Sequence, residues 1–142
     1  MISFSFLSTE YFDLPLDSIR SSIPWITEHE GKDLADLSII FCSDDELLSM
    51  NQKHLNHDYY TDIITFDYST DSYISGDLFI SVDRVSDNAE IEGVSFIEEI
   101  HRVVFHGVLH LLGYNDKEDH DILVMREKEN FYLAKLFHVK HT

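Results

Sequence analysis

His106 and His110 stand four residues apart in the run His106-Gly107-Val108-Leu109-His110. On a helix that spacing puts both imidazoles on one face, one turn apart. Two ring nitrogens held rigidly in this way can share one metal ion. Gly113 follows shortly after, where a helix commonly ends in a left-handed residue. The chain can then turn back and deliver a third ligand, for which Asp116 and His120 are the two candidates. Three protein ligands leave the fourth tetrahedral position for water, the arrangement of a catalytic zinc ion rather than a structural one. The competing reading is a pair of core histidines. Val103, Val104, Phe105, Val108, Leu109, Leu111 and Leu112 make the helix apolar nearly all round. Imidazoles buried there without a metal would each need a polar partner.

Other residues near the pair bear on the reaction. In zinc peptidases of the His-Glu-x-x-His type the general base occupies the position held here by Gly107, and glycine cannot serve. That argues against peptide hydrolysis by that route. Asp116 if unligated, Glu118, Asp119 and His120 are candidate bases, against the plainer reading of a solvated acidic turn. Arg102 lies one turn before His106 and can clamp a phosphate with its planar fork. It can equally pair with Glu98 at i, i+4. His101 falls on the opposite side of the helix and has no assigned role.

The elements that must position these groups are legible in outline. Ile2, Phe4 and Phe6 alternate with serines, a strand period. Leu16 to Glu30 reads as a helix containing Pro24, and Leu37 to Cys42 as a short buried strand. Ser43-Asp44-Asp45-Glu46 has the capping-box pattern for a helix reaching about Leu55. Ile63 to Phe66 and Gly76 to Val82 read as strands joined through a polar, aromatic hairpin connection. A short helix over Asp83 to Ile91 precedes a second capping box, Ser95 to Glu98, which opens the long helix to Leu112. Asp119 to Phe137 reads as the last helix, with Ile122, Leu123, Phe131, Leu133 and Leu136 as its apolar stripe. The order predicts an α+β fold: a small mixed sheet of about four strands with about five helices, the metal site at the end of a central helix.

The 142 residues read as a single domain, 1–142, without linker, repeat or composition break. Lys and Arg number 10 against 27 Asp and Glu, giving −17, so broad adhesion to nucleic acid is not expected. An RNA substrate would have to be caught by a few local contacts. One cysteine, Cys42, excludes a disulfide framework and suggests a reducing compartment. The first residues lack a basic region and a long apolar core, so no signal peptide is expected. The expected location is the cytoplasm, with no membrane association.

His106-Gly-Val-Leu-His-Leu-Leu-Gly-Tyr114 resembles the signature of the YbeY family, bacterial metal-dependent endoribonucleases of rRNA maturation and ribosome quality control. Asn51, the run Thr61-Asp62-Ile63-Ile64-Thr65-Phe66 and the run Gly76-Asp77-Leu78-Phe79-Ile80-Ser81 resemble two further family segments, in matching order. The resemblance implies cleavage of single-stranded RNA by a zinc-activated water, one ion per chain. It implies rRNA precursors as substrates, including the 3′ end of 16S rRNA, and the small ribosomal subunit or its associated factors as partners. His106, His110 and Asp116 carry the implied catalytic and metal-binding roles, and Arg102 that of substrate contact. The family's third ligand is His where this chain has Asp116; that position favours Asp116 over His120. Leu55 stands where the family usually has an Arg thought to engage RNA, with Lys53, His54 or His57 as stand-ins. Tyr59, Tyr60 and Tyr68 either stack bases or cap the sheet. A metal-stabilised ribosome adaptor with little catalysis, or a metal hydrolase of another substrate, are the competing functions.

Overall fold

Alternating Ile2, Phe4 and Phe6 form an edge strand, β1 (Ile2–Phe6), whose Ile2 is buried while its serines face outward. The computed structural model describes residues 1–7, 13–55 and 60–137. After β1 come α1 (Leu16–His29), β2 (Asp33–Cys42), α2 (Asp44–His54), β3 (Ile63–Asp67) and β4 (Tyr73–Ser81). Three helices complete the chain: α3 (Val82–Glu92), α4 (Phe96–Leu111) and α5 (Asp119–Phe137). The four strands lie in the order β1-β2-β4-β3. β1, β2 and β4 run parallel, and β3 runs antiparallel to β4. The architecture is the expected α+β with a mixed sheet and five helices.

β2 is longer than its apolar run, because Asp33 and Leu34 pair with Tyr73 and Ile74 before a bulge shifts the register. Both faces of its C-terminal half are covered. Leu37, Ile39 and Phe41 enter the main core with α1, α4 and α5, while Cys42 packs with Leu47 of α2 and Ile64 of β3. Pro24 sits inside α1 without ending it. Of the two capping boxes expected, the one at Ser43 closes in both directions: Glu46 N–H donates to Ser43 Oγ, and Ser43 N–H to Glu46 Oε1. Ser95 makes only the forward bond, from Glu98 N–H. α3 ends where Gly93 turns left-handed at φ 69°.

α4 is the central helix, and its burial is nearly continuous from Glu99 to Leu111. Its approach to the sheet depends on Gly107. A Cβ there would lie 2.8 Å from Ile63 Cδ1 and 2.9 Å from the Leu78 methyls. Glycine thus lets the backbone between His106 and Val108 rest directly on β3 and β4.

α5 corrects the expected apolar stripe. Leu133 is buried and Leu136 packs on the core as expected, but Ile122, Leu123 and Phe131 are 49%, 57% and 42% exposed, and Met125, Glu129 and Tyr132 turn inward instead. The inward face includes a carboxylate, Glu129, which α5 delivers to the polar end of α4.

Candidate active site

His106 and His110 occupy the last two turns of α4, fixed by the buried apolar residues between and around them. Both open onto one cavity of about 260 Å³, which Asn51, Leu55, Asp62 and Asp116 also line. Asp116 arrives there because the chain reverses after α4. Gly113 takes φ 108°, and the backbone N–H groups of Gly113 and Tyr114 close onto His110 O and Leu109 O. The Tyr114 hydroxyl donates to Glu30 Oε1 at 2.6 Å, tying the turn to the end of α1. Glu30 also accepts from Lys128 Nζ at 3.1 Å and from the Tyr132 hydroxyl. Desolvation works against its charge, but these three donors overcome it and hold the carboxyl below the usual range.

His106 sits between two carboxylates. Its Nδ1 donates to Glu129 Oε2 at 2.8 Å and its Nε2 to Asp116 Oδ2 at 3.1 Å. Desolvation opposes protonation, but the hydrogen bond and charge of Glu129, with the charges of Asp116 and Asp62, raise the imidazole above its ordinary value. The two carboxylates thus favour the protonated ring, which donates at both nitrogens. Glu129 is 5% exposed and serves a second cation, with Arg102 Nη1 3.0 Å from its Oε1. Arg102 Nη2 donates to Asn130 Oδ1 at 2.9 Å. Arg102 thus bonds α5 rather than Glu98, meeting the buried Glu129 carboxylate and the half-buried Asn130 amide oxygen.

The donor set fits a metal ion in type and in the space it shares. An ion on His106 Nε2 would replace the proton now shared with Asp116. Two ligands of one tetrahedral zinc ion stand roughly 3.4 Å apart, close to this contact. Glu129 behind Nδ1 is the carboxylate partner that orients a ligating histidine. His110 opens onto the same cavity. Among the described residues no three His, Cys, Asp or Glu side chains form a ready-made cluster. His120 is exposed in the first turn of α5 and lines neither cavity described here.

A second cavity of about 450 Å³ adjoins the first across Asp62, His106 and Asp116, and Arg102 lines it. Asp62 faces both spaces; its carboxyl is raised by desolvation, although the His106 charge pulls it down. Glu99, deeper in this cavity, is pushed up to about 7 by burial, with Arg102 opposing and Asp62 adding to the shift. Two residues of this centre carried no assigned role in the sequence reading. Asp62 lay inside the quoted Thr61 to Phe66 run, adjacent to a strand and thus a signal that was available. Glu129 offered none, lying in a different helix.

The remaining sequence candidates are scattered, and of those described here only Leu55 lines either cavity. Leu55 is exposed beside the smaller cavity. His54 packs edge-on against Phe66. Tyr60 hydrogen-bonds Asp45 and lies under Arg84, and Tyr68 hydrogen-bonds Asp77 at the sheet edge. His57 and Tyr59 lie outside the described residues. His101 is buried and holds α4 to α1, taking a hydrogen bond from the Ser18 hydroxyl.

A family model described as endoribonuclease YbeY matches residues 10–137. Endoribonuclease YbeY of Parabacteroides distasonis is 48% identical, over 89% of this chain and 92% of that protein. Endoribonuclease YbeY of Flavobacterium psychrophilum is 47% identical over 99% of both chains. The solution structure of a Thermotoga maritima protein superposes with a TM-score of 0.70, at 28% identity, covering 97% of this chain and 90% of that one.

Proposed function

The chain belongs to the endoribonuclease YbeY family, and from that premise we propose that it is a metal-dependent endoribonuclease acting on single-stranded RNA. Its substrates on this reading are rRNA precursors, including the 3′ end of 16S rRNA, with a role in ribosome quality control. Its partners are the small ribosomal subunit or factors bound to it, and its location is the cytoplasm. No helix among the described residues is long and apolar enough to cross a membrane.

The observation that carries the reading is His106 held between Glu129 and Asp116, in a cavity that His110 also lines. His106, His110 and Asp116 would hold one zinc ion. Bound there, zinc would bring the pKa of a coordinated water from 15.7 to about 7 and stabilise charge on a phosphoryl oxygen. The protein's own groups supply the rest. Glu129 fixes the His106 ring through Nδ1, so that Nε2 faces the cavity. Asp62, desolvated and opening onto both cavities, is placed to take a proton from the attacking water and hold it. Gly107 leaves no side chain at the position a peptidase would use for its base. Arg102, braced by Glu129 and Asn130, and the more exposed Arg126 both line the larger cavity. Local cations of this kind offset a chain charge of −17 for a polyanionic substrate.

Cleavage of a single-stranded rRNA fragment, measured beside identically prepared His110→Ala protein, tests the reading. Activity in the unaltered protein and none in the variant is the expected result. Equal activity in both is contamination, and none in either shifts the function to a metal-stabilised ribosome adaptor. Exposed Leu55 at the cavity is the observation favouring that second reading.

A further inference from the structure

Glu99 is a buried carboxyl that nothing in the proposed reaction uses. It is 6% exposed and accepts no hydrogen bond from any described residue. No fully enclosed side-chain oxygen or nitrogen among the described residues lacks a partner, so the bare oxygens of Glu99 face the 450 Å³ cavity it lines. That volume falls within the roughly 300–1,000 Å³ of small-molecule sites.

The lining has three parts. Asp62 lines the cavity with Glu99, and exposed Glu92 stands at its edge. Val94, Val103 and Met125 supply apolar walls. Arg126 stands at the rim, its side chain 54% exposed and its Nη1 held only loosely, 3.7 Å from Glu129. A bare metal ion suits this space poorly, since two guanidinium groups share the wall and no three ligating side chains converge among the described residues. A flat ring with a donor-rich edge suits it well. Among the nucleobases, guanine offers two adjacent donors, N1–H and the N2 amine, which a single carboxylate can accept together.

We propose that this cavity is a guanine subsite, in which the Glu99 carboxylate accepts the N1–H and N2 amine of the base and Arg126 meets the adjoining phosphate. Its position follows from the shared wall of Asp62, His106 and Asp116. A nucleotide bound beside His106 would enter the cavity along that shared wall. The inference rests on the ribonuclease reading above, and it adds a sequence preference to it.

Calorimetric titration of the full chain with guanosine, inosine, adenosine, cytidine and uridine 5′-monophosphates tests it. Inosine monophosphate differs from the guanosine compound only by the missing N2 amine. Guanosine monophosphate should bind best and inosine monophosphate about tenfold more weakly, the loss expected for one hydrogen bond to a charged acceptor. Glu99→Gln should remove the difference between the two. If that variant fails to fold by circular dichroism, the guanosine–inosine comparison on the unaltered protein still decides. Equal binding of the two overturns the proposal. So does displacement of guanosine monophosphate by manganese alone, or by an arginine-rich peptide that binds more tightly. Cleavage of RNAs carrying one guanosine in an otherwise uniform strand separates the two readings. Cleavage without guanine preference sinks the subsite and leaves the ribonuclease standing. Guanine binding without any cleavage sinks the ribonuclease and keeps the subsite.

Discussion

His106 Nδ1 lies 2.8 Å from Glu129 Oε2, so a residue of α5 sets the ring of a histidine on α4. The same carboxylate bonds Arg102 through its other oxygen. One buried group thus fixes a candidate ligand and neutralises a neighbouring guanidinium. Glu129→Gln removes the charge from both contacts at nearly constant volume. Leaving Arg102 without its anion is expected to cost about 3 kcal/mol, as for other broken buried pairs. Metal affinity should fall about 10–100-fold, the usual effect of losing the carboxylate behind a ligating histidine. Urea unfolding and metal titration measure the two effects. Unchanged metal affinity in a destabilised variant would assign Glu129 to stability alone.

The ligand assignment makes a graded forecast. His106→Ala and His110→Ala should each abolish metal binding, and Asp116→Ala should weaken it more than His120→Ala. Elemental analysis of the four purified variants gives the stoichiometry. A full load in His110→Ala removes the site, and a larger loss in His120→Ala moves the third ligand to α5. Proton competition adds a second mark. Desolvation opposes the His106 charge, but Glu129, Asp116 and Asp62 together favour the protonated ring. Metal must displace that proton, so uptake should weaken from a pH above the ordinary histidine value downward.

The paired histidines were legible because their relation is local: four residues on one helix. Asp116 was legible as well, since Gly113 marks the turn that carries it back. Glu129 was not, because nothing short-range links it to His106. The pattern of α5 even pointed elsewhere. Ile122 and Leu123 suggested an apolar face, yet they are exposed while Met125, Glu129 and Tyr132 turn inward. A helix that buries a carboxylate for two cations has a blurred hydrophobic period, so a stripe drawn from apolar residues alone places Leu133 and Leu136 correctly but misplaces its first half and Phe131. The strand and helix order was readable from capping, glycines and alternation. The extra length of β2 was not, because Asp33 is held by pairing to Tyr73 rather than by its own preference.

Gly107 links the fold to the site. Its Cβ-less backbone touches Ile63 and Leu78, and a methyl group would meet them at 2.8 and 2.9 Å. Gly107→Ala gains about 1 kcal/mol of helix propensity but overpacks the contact with the sheet, typically costing 1–3 kcal/mol. A net loss of about 1 kcal/mol is expected. Because His106 is the neighbouring residue, α4 would lift at the cavity and metal affinity should fall with it. Thermal unfolding and metal titration on the same sample check both. A stabilised variant with unaltered metal binding would mean that the side chains of Ile63 and Leu78 yield freely.

His101 has the opposite relation to protons from His106. Its Nδ1 donates to Ile97 O at 2.7 Å, and its Nε2 accepts from the Ser18 hydroxyl at 2.8 Å. The Ser18 hydroxyl can donate to Nε2 only while that nitrogen is unprotonated. Burial pushes the imidazole below its ordinary value, against the pull of the Ile97 carbonyl. The unfolded chain therefore binds a proton at a higher pH than the folded one does. The neutral ring's contribution is intact above about pH 6.5 and declines as the pH falls below it. Replacing His101 with Leu should lower stability at pH 7, because Ser18 loses its acceptor. The variant should also lose less than the unaltered protein between pH 7 and pH 5. Urea midpoints at the two pH values give the comparison. His106 titrates with the opposite sign in both proteins and cancels in the difference. Parallel losses in the two proteins would show that His101 already carries its proton in the folded state.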